Sequence, residues 1–216
     1  PTFGGMALNG NLNGTTGSFT GNLSAQRLIL SDSSGGVTHP NLAIGANSML
    51  GTASGTGSNT AVGIGSLTAN TTGAENTALG RVSLGNNLSG NKNTAAGVHS
   101  LFSNSNGSDN TAIGFYALEL NSSGNRNVAI GFNAGYRNTT GGNNTFIGSW
   151  AKPSEDSPLN YATALGSNAL VTTSNTIALG RTTDTTVIGA TGRASSGVLQ
   201  NRALQVTGGA GFIGGV

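Results

Sequence analysis

Few side chains in this sequence could serve as acids, bases, nucleophiles or metal ligands. Of its 216 residues, seven are Asp or Glu, two are His and none is Cys. The close carboxyl pair, Glu155 and Asp156, lies in Lys152-Pro-Ser-Glu-Asp-Ser-Pro158. Glycoside hydrolysis needs two carboxyl groups facing each other across a bond, roughly 5–10 Å apart. Neighbouring residues in a proline-flanked turn do not meet that need, so an irregular solvated loop is expected there. His39 and His99 have no Cys and few acids near them in sequence. Only symmetry, by gathering three copies of one histidine, could make either a metal site, and surface positions are the expectation. The segment Val206-Thr-Gly-Gly-Ala-Gly-Phe-Ile-Gly214 matches the Gly-x-Gly-x-x-Gly fingerprint of dinucleotide sites. That fingerprint works where a strand precedes it and a helix follows, placing pyrophosphate at the helix N-terminus. No acidic residue follows Gly214, and a glycine-rich strand or linker is expected. Neither catalysis nor a cofactor is expected.

The residues best suited to touch a ligand are aromatic. Phe115 and Phe132 are one 17-residue step apart, and His99, Tyr116, Asn133 and Trp150 follow one another at the same place in successive units. Tyr136 follows closely. Aromatic faces with polar neighbours suit carbohydrate, because a ring packs on the apolar face of a sugar. His99, Phe115, Tyr116, Asn133, Tyr136 and Trp150 are therefore the candidate ligand contacts. For Phe115 and Phe132 the competing expectation is that they fill the roll or a groove between chains.

The spacing of these residues reflects an internal repeat. Asn-Thr-Ala-x-Gly starts at Asn59, Asn76, Asn93 and Asn110, and recurs as Asn127-Val-Ala-Ile-Gly131 and Asn144-Thr-Phe-Ile-Gly148. Degenerate copies occur at Asn41-Leu-Ala-Ile-Gly45, Thr163-Ala-Leu-Gly166 and Ile177-Ala-Leu-Gly180, with steps of 18 residues at each flank and a final step of 14. After the motif glycine come two variable residues, a small residue, usually a leucine, and then a turn such as Asn70-Thr-Thr-Gly73. Each unit reads as strand, bend, second short strand and turn. Asn and Gly suit such turns because both tolerate left-handed backbone angles. The Asn-x-Ser/Thr matches at Asn70, Asn87, Asn121 and Asn138 fall on those turns and are read as turn chemistry, not as glycan acceptors.

A 17-residue unit lacks helical apolar spacing and cannot bury a face alone. Stacking on its neighbours solves that problem, which is the logic of a solenoid. About nine coils are expected, with Ile113 over Ile130 and Ile147, and Asn110 over Asn127 and Asn144. The fold class is all-β: a parallel β-roll or β-solenoid over 37–189, with β-rich connectors at 1–36 and 190–216. One or two inward positions per coil make a thin core, while ordering each residue costs ~1–2 kcal/mol. Self-association is therefore expected, with Ala61, Ala78, Ala95, Ala112 and Ala129 allowing a second surface to pack closely.

Composition supports this reading and excludes others. Glycine contributes 37 residues, yet there is no Gly-x-y period of collagen, and charged residues make up only 7%. The formal net charge is +2 without any basic run, so nucleic-acid binding is not expected. No stretch approaches the ~18 apolar residues of a membrane helix, and membrane insertion is not expected.

With its Asn-Thr-Ala-Ile-Gly-x-x-Ala-Leu unit, the array over about 37–189 resembles the head of YadA-like trimeric autotransporter adhesins. The longer unit, with its Asn-Thr-Thr-Gly turn, is similar to repeats of phage tail fibres and bacterial tail-fibre-like adhesive trimers. The resemblance implies a left-handed roll, three chains about a threefold axis, an extracellular or virion location, and attachment to a host or prey glycan or protein. A purely structural shaft is the alternative expectation. An ice-binding solenoid, prompted by the recurring Thr60, Thr77, Thr94, Thr111 and Thr145, is a third.

Overall fold

In a computed structural model, residues 41–49, 57–154, 158–181 and 183 are described. The two connectors, His39, the pair Glu155 and Asp156, and the glycine-rich segment 206–214 lie outside them. Among the described residues there is no helix, and the repeat forms a parallel β-solenoid of about eight turns.

Each motif copy supplies one three-residue strand. They are β1 (Leu42–Ile44), β2 (Thr60–Val62), β3 (Thr77–Leu79), β4 (Thr94–Ala96), β5 (Thr111–Ile113), β6 (Val128–Ile130), β7 (Thr145–Ile147), β9 (Thr163–Leu165) and β11 (Ile177–Leu179). Their order in the nine-stranded sheet is the order of the chain, and each strand pairs parallel with the next. Ile113 pairs with Ile130 and Ile130 with Ile147, so equivalent residues form straight columns. Short β8 (Lys152–Pro153) and β10 (Leu170–Val171) make a separate parallel pair.

The pleat sends the middle residue of a strand inward and its neighbours outward. Ala61, Ala78, Ala95, Ala112, Ala129, Phe146 and Ala164 are fully buried, facing a core that also holds Leu67, Leu84, Leu101 and Leu118. The alanines are thus interior and not a contact surface for a second chain. The outward positions carry Thr and the aliphatic residues instead. Across so narrow a section, Ala from one side and Leu from the other already fill the gap, and a larger strand residue would overpack it.

The expected second strand is absent from the regular coils. Leu67, Leu84, Leu101 and Leu118 all take left-handed angles, φ 49–50°. Such a residue breaks the extended run but turns its side chain into the core. The coils remain joined there, for Leu84 N–H donates to Ser100 O at 3.0 Å and Leu101 N–H to Ala117 O at 2.9 Å. Two residues before each leucine the backbone is left-handed again, including β-branched Val82 at φ 51°. Asn holds the same place in other coils, at Asn47, Asn133 and Asn168. Left-handed angles are costly for branched side chains and mild for Asn. Val82→Asn is therefore expected to stabilise by about 1 kcal/mol, visible as a higher thermal midpoint. A lower midpoint would show that Val82 packing outweighs the strain.

Two columns of buried asparagine hold the coils in register. Asn76 donates its side-chain amide to Gly90 O at 2.8 Å, closing its own coil, while its Oδ1 accepts the backbone N–H of Asn93 at 2.9 Å in the next. The Oδ1 contact repeats from Asn41 to Asn144 and ends where Ala162 N–H reaches Asn144 Oδ1, and the amide-to-glycine bond recurs from Asn59 to Asn127. The second column runs through Asn70, Asn87, Asn104, Asn121 and Asn138. Each donates to the glycine three residues on, and each after the first also donates to the asparagine before it. All five side chains are buried. The four glycan-acceptor matches are therefore engaged turn residues inside the roll. A buried amide left without partners costs ~1–3 kcal/mol, so these columns specify the fold through what their loss would leave unpaired.

Candidate binding surface

Beyond each sheet strand, the motif glycine bends the chain and presents two residues before it turns to the core. Glycine is required at that bend. Gly114 has φ 132°, and a Cβ placed on it would lie 2.5 Å from Gly131 O in the next coil. The first residue after the bend is Ile64, Arg81, Val98, Phe115, Phe132 or Ser149 in successive coils. The second, held left-handed, is His99 (φ 59°), Tyr116 (59°), Asn133 (54°) or Trp150 (61°). Stacking of coils converts these pairs into two adjacent columns.

Most of the candidates meet there as one continuous run of rings. His99 lies 5.2 Å from Tyr116, and Tyr116 meets Phe115 edge-on at 4.1 Å. Phe115 and Phe132 are near-parallel at 5.8 Å. Phe132 meets Trp150 edge-on at 5.7 Å, and Tyr136 reaches Trp150 at 6.4 Å. Phe115, Phe132 and Trp150 remain 41%, 45% and 36% exposed. Tyr116, Tyr136 and His99 are half-buried. Asn133 is only 5% exposed and offers little to a ligand.

Sequence reasoning missed three members. Phe102 packs on His99 at 5.0 Å, and its position three residues later in the same coil was the available signal. Lys152 stands where earlier coils place leucine, and its ammonium lies 4.7 Å above the Trp150 ring. A cation so placed is attracted by the ring's electron-rich face. Glu119 brings Oε1 to 3.5 Å from His99 Nδ1.

The electrostatics of that contact are set by burial. Desolvation, and then the nearby Arg81 guanidinium, hold His99 below its ordinary value. Desolvation raises Glu119 above its own. The two groups lie within ion-pair distance, but burial disfavours the charged form of each, and His99 Nδ1 makes no hydrogen bond. Positive charge borders the run at both ends, from Arg81, whose carbonyl accepts the His99 N–H at 3.1 Å, and from Lys152 over Trp150. Arg137 donates to Ser154 O at 3.1 Å. Among the described residues no group of three His, Cys, Asp or Glu gathers as a metal site, and no helix is long and apolar enough to cross a membrane.

No protein-family model, curated protein or solved structure matches this chain.

Proposed function

We propose that this chain is a non-enzymatic attachment segment of an extracellular fibre, built from three copies of a left-handed roll about a threefold axis. The observation that carries this reading is the outer face of the nine-stranded sheet. Its third strand position forms one aliphatic column, with Leu79 53%, Ile113 42% and Leu165 45% exposed. Ile44, Ile130 and Leu179 continue it. Soluble monomers rarely leave so long an apolar strip in water, and the straight register of parallel strands makes it flat enough for another copy. The Asn-Thr-Ala-Ile-Gly motif, which resembles that of trimeric adhesins, supports three as the number. The ring run, one bend further along each coil, is the surface offered to a host or prey receptor. That exposed run favours attachment over a bare shaft.

Light scattering coupled to size exclusion tests the assembly. A mass of three chains is expected, and a single-chain mass would overturn the reading. Replacing Ile113 and Ile130 together by Asp is expected to give single chains with an unchanged circular dichroism spectrum. Each carboxylate buried without a partner between copies would cost several kcal/mol.

A further inference from the structure

We infer that the ring run is a platform for an acidic polysaccharide lying along the solenoid axis, across successive coils. The inference rests on the attachment reading and names the chemistry of its ligand. Three observations converge on it. First, the exposed rings are not needed to complete the core. Around β5 and β6 the interior is filled by Ala112, Ala129 and Leu118, while Phe115 and Phe132 stay more than 40% exposed. Exposed aromatic area in a continuous patch marks a contact surface.

Second, the rings repeat with the coils. Phe115 and Phe132 stack at 5.8 Å in one column and Trp150, in the adjacent column, meets Phe132 edge-on at 5.7 Å, so three successive coils each offer an apolar ring. A polymer of similar rings suits a series of this kind, and apolar sugar faces pack on aromatic side chains. From the coil of Arg81 to that of Trp150 there are four strand steps, β3 to β7, or about 19 Å at the usual strand separation. That length accommodates several sugar residues.

Third, the charge around the run is positive and sparse. Arg81, whose carbonyl accepts the His99 N–H at 3.1 Å, borders it at one end, and Lys152 stands over Trp150 at the other. Glu119 places one carboxyl group beside His99 at the run, and Arg81 and Lys152 outnumber it. An occasional sugar carboxylate fits this pattern. A nucleic acid carries a phosphate at every step and calls for clustered Lys and Arg along the whole path, whereas the described run has cations only at its ends.

The test uses the full chain and three immobilised polymers: polygalacturonate, neutral dextran and oligothymidylate. Binding to polygalacturonate is expected to exceed binding to dextran and to weaken as salt rises. Phe132→Ala and Trp150→Ala are each expected to reduce it about tenfold, with assembly mass and circular dichroism unchanged. Lys152→Gln is expected to weaken binding and flatten the salt dependence. Equal binding to dextran, preferential binding to oligothymidylate, or no binding to polygalacturonate would each overturn the inference. So would loss of assembly mass in Phe132→Ala or Trp150→Ala, because the rings would then belong to a contact between copies. Beads coated with the chain that adhere to cells without binding polygalacturonate would remove this ligand class and leave attachment standing. A single-chain mass would instead count against the fibre reading alone.

Discussion

Replacing Gly114 with alanine is expected to abolish the cooperative thermal transition of the solenoid, or to lower its midpoint more than any exposed substitution. The physical cause is twofold. At φ 132° an L side chain is strained before any neighbour is considered. The added methyl would also lie 2.5 Å from Gly131 O and 2.7 Å from Gly131 C. Those atoms are backbone, so no rotamer change can relieve the contact. They also belong to a residue equally constrained, since a Cβ on Gly131 would in turn lie 2.8 Å from Gly148 C. Relief at one coil pushes on the next. A cost above about 3 kcal/mol follows from strain of this kind. Thermal unfolding followed by circular dichroism measures it, and a midpoint equal to that of the parent would mean that neighbouring coils can separate freely.

The second large effect is a compensation between coils. Phe146 occupies the inward strand position that is Ala in the neighbouring strands β6 and β9, and Gly135 occupies the position that is Leu in earlier coils. The two departures belong together. A Cβ on Gly135 would lie 2.8 Å from Phe146 Cδ2 and 2.8 Å from Leu118 Cδ2, so the phenyl ring fills the space that the missing leucine leaves. Phe146→Ala is expected to cost about 3–5 kcal/mol, because it opens a cavity in a core with little freedom to collapse. Gly135→Leu alone overpacks the same space and is also destabilising. Made together, they recreate the Ala–Leu arrangement of earlier coils, and the double variant is expected to be more stable than the sum of the two single changes. A double-mutant cycle in urea reads this directly, and additive costs would disprove the coupling.

The repeat makes the rungs and their register legible in the sequence. A fixed 17-residue step leaves equivalent residues only one place to stack, so Ile113 over Ile130 and Asn110 over Asn127 follow from the period alone. The facing of the strand does not. Thr-Ala-Ile alternates the same way whichever side is the core, and the usual preference for burying the larger residue points to Ile. Narrowness reverses that preference here, sending Ala in and Ile out. The missing second strand is hidden for a different reason. Leucine seldom adopts left-handed angles, so nothing in its identity announces the turn at Leu84 or Leu101. The asparagines are recognisable as turn formers, but their second role, as buried amides linking coil to coil, follows from stacking and not from local sequence.

At the ring run, the 17-residue spacing is enough to make neighbours of His99, Tyr116, Phe115, Phe132 and Trp150. It does not reveal that Asn133, in the same column, is covered. Nor does it reveal that Lys152 leaves the leucine column to stand over Trp150, because that depends on the chain passing from a left-handed turn into β8.

The asparagine columns also set how such a molecule can change length. Bonds of the second column join residues 17 apart, and its members lie in the regular coils. The first column also tolerates a step of 18, as between Asn41 and Asn59. A single residue inserted into a regular coil would shift one amide column against the other and leave buried donors and acceptors without partners. A whole duplicated coil would shift nothing, since its asparagines bond to the coils above and below as the originals do. Reach can therefore be adjusted in discrete increments of one strand separation, about 4.8 Å, and each increment adds another place on the surface without disturbing those already there.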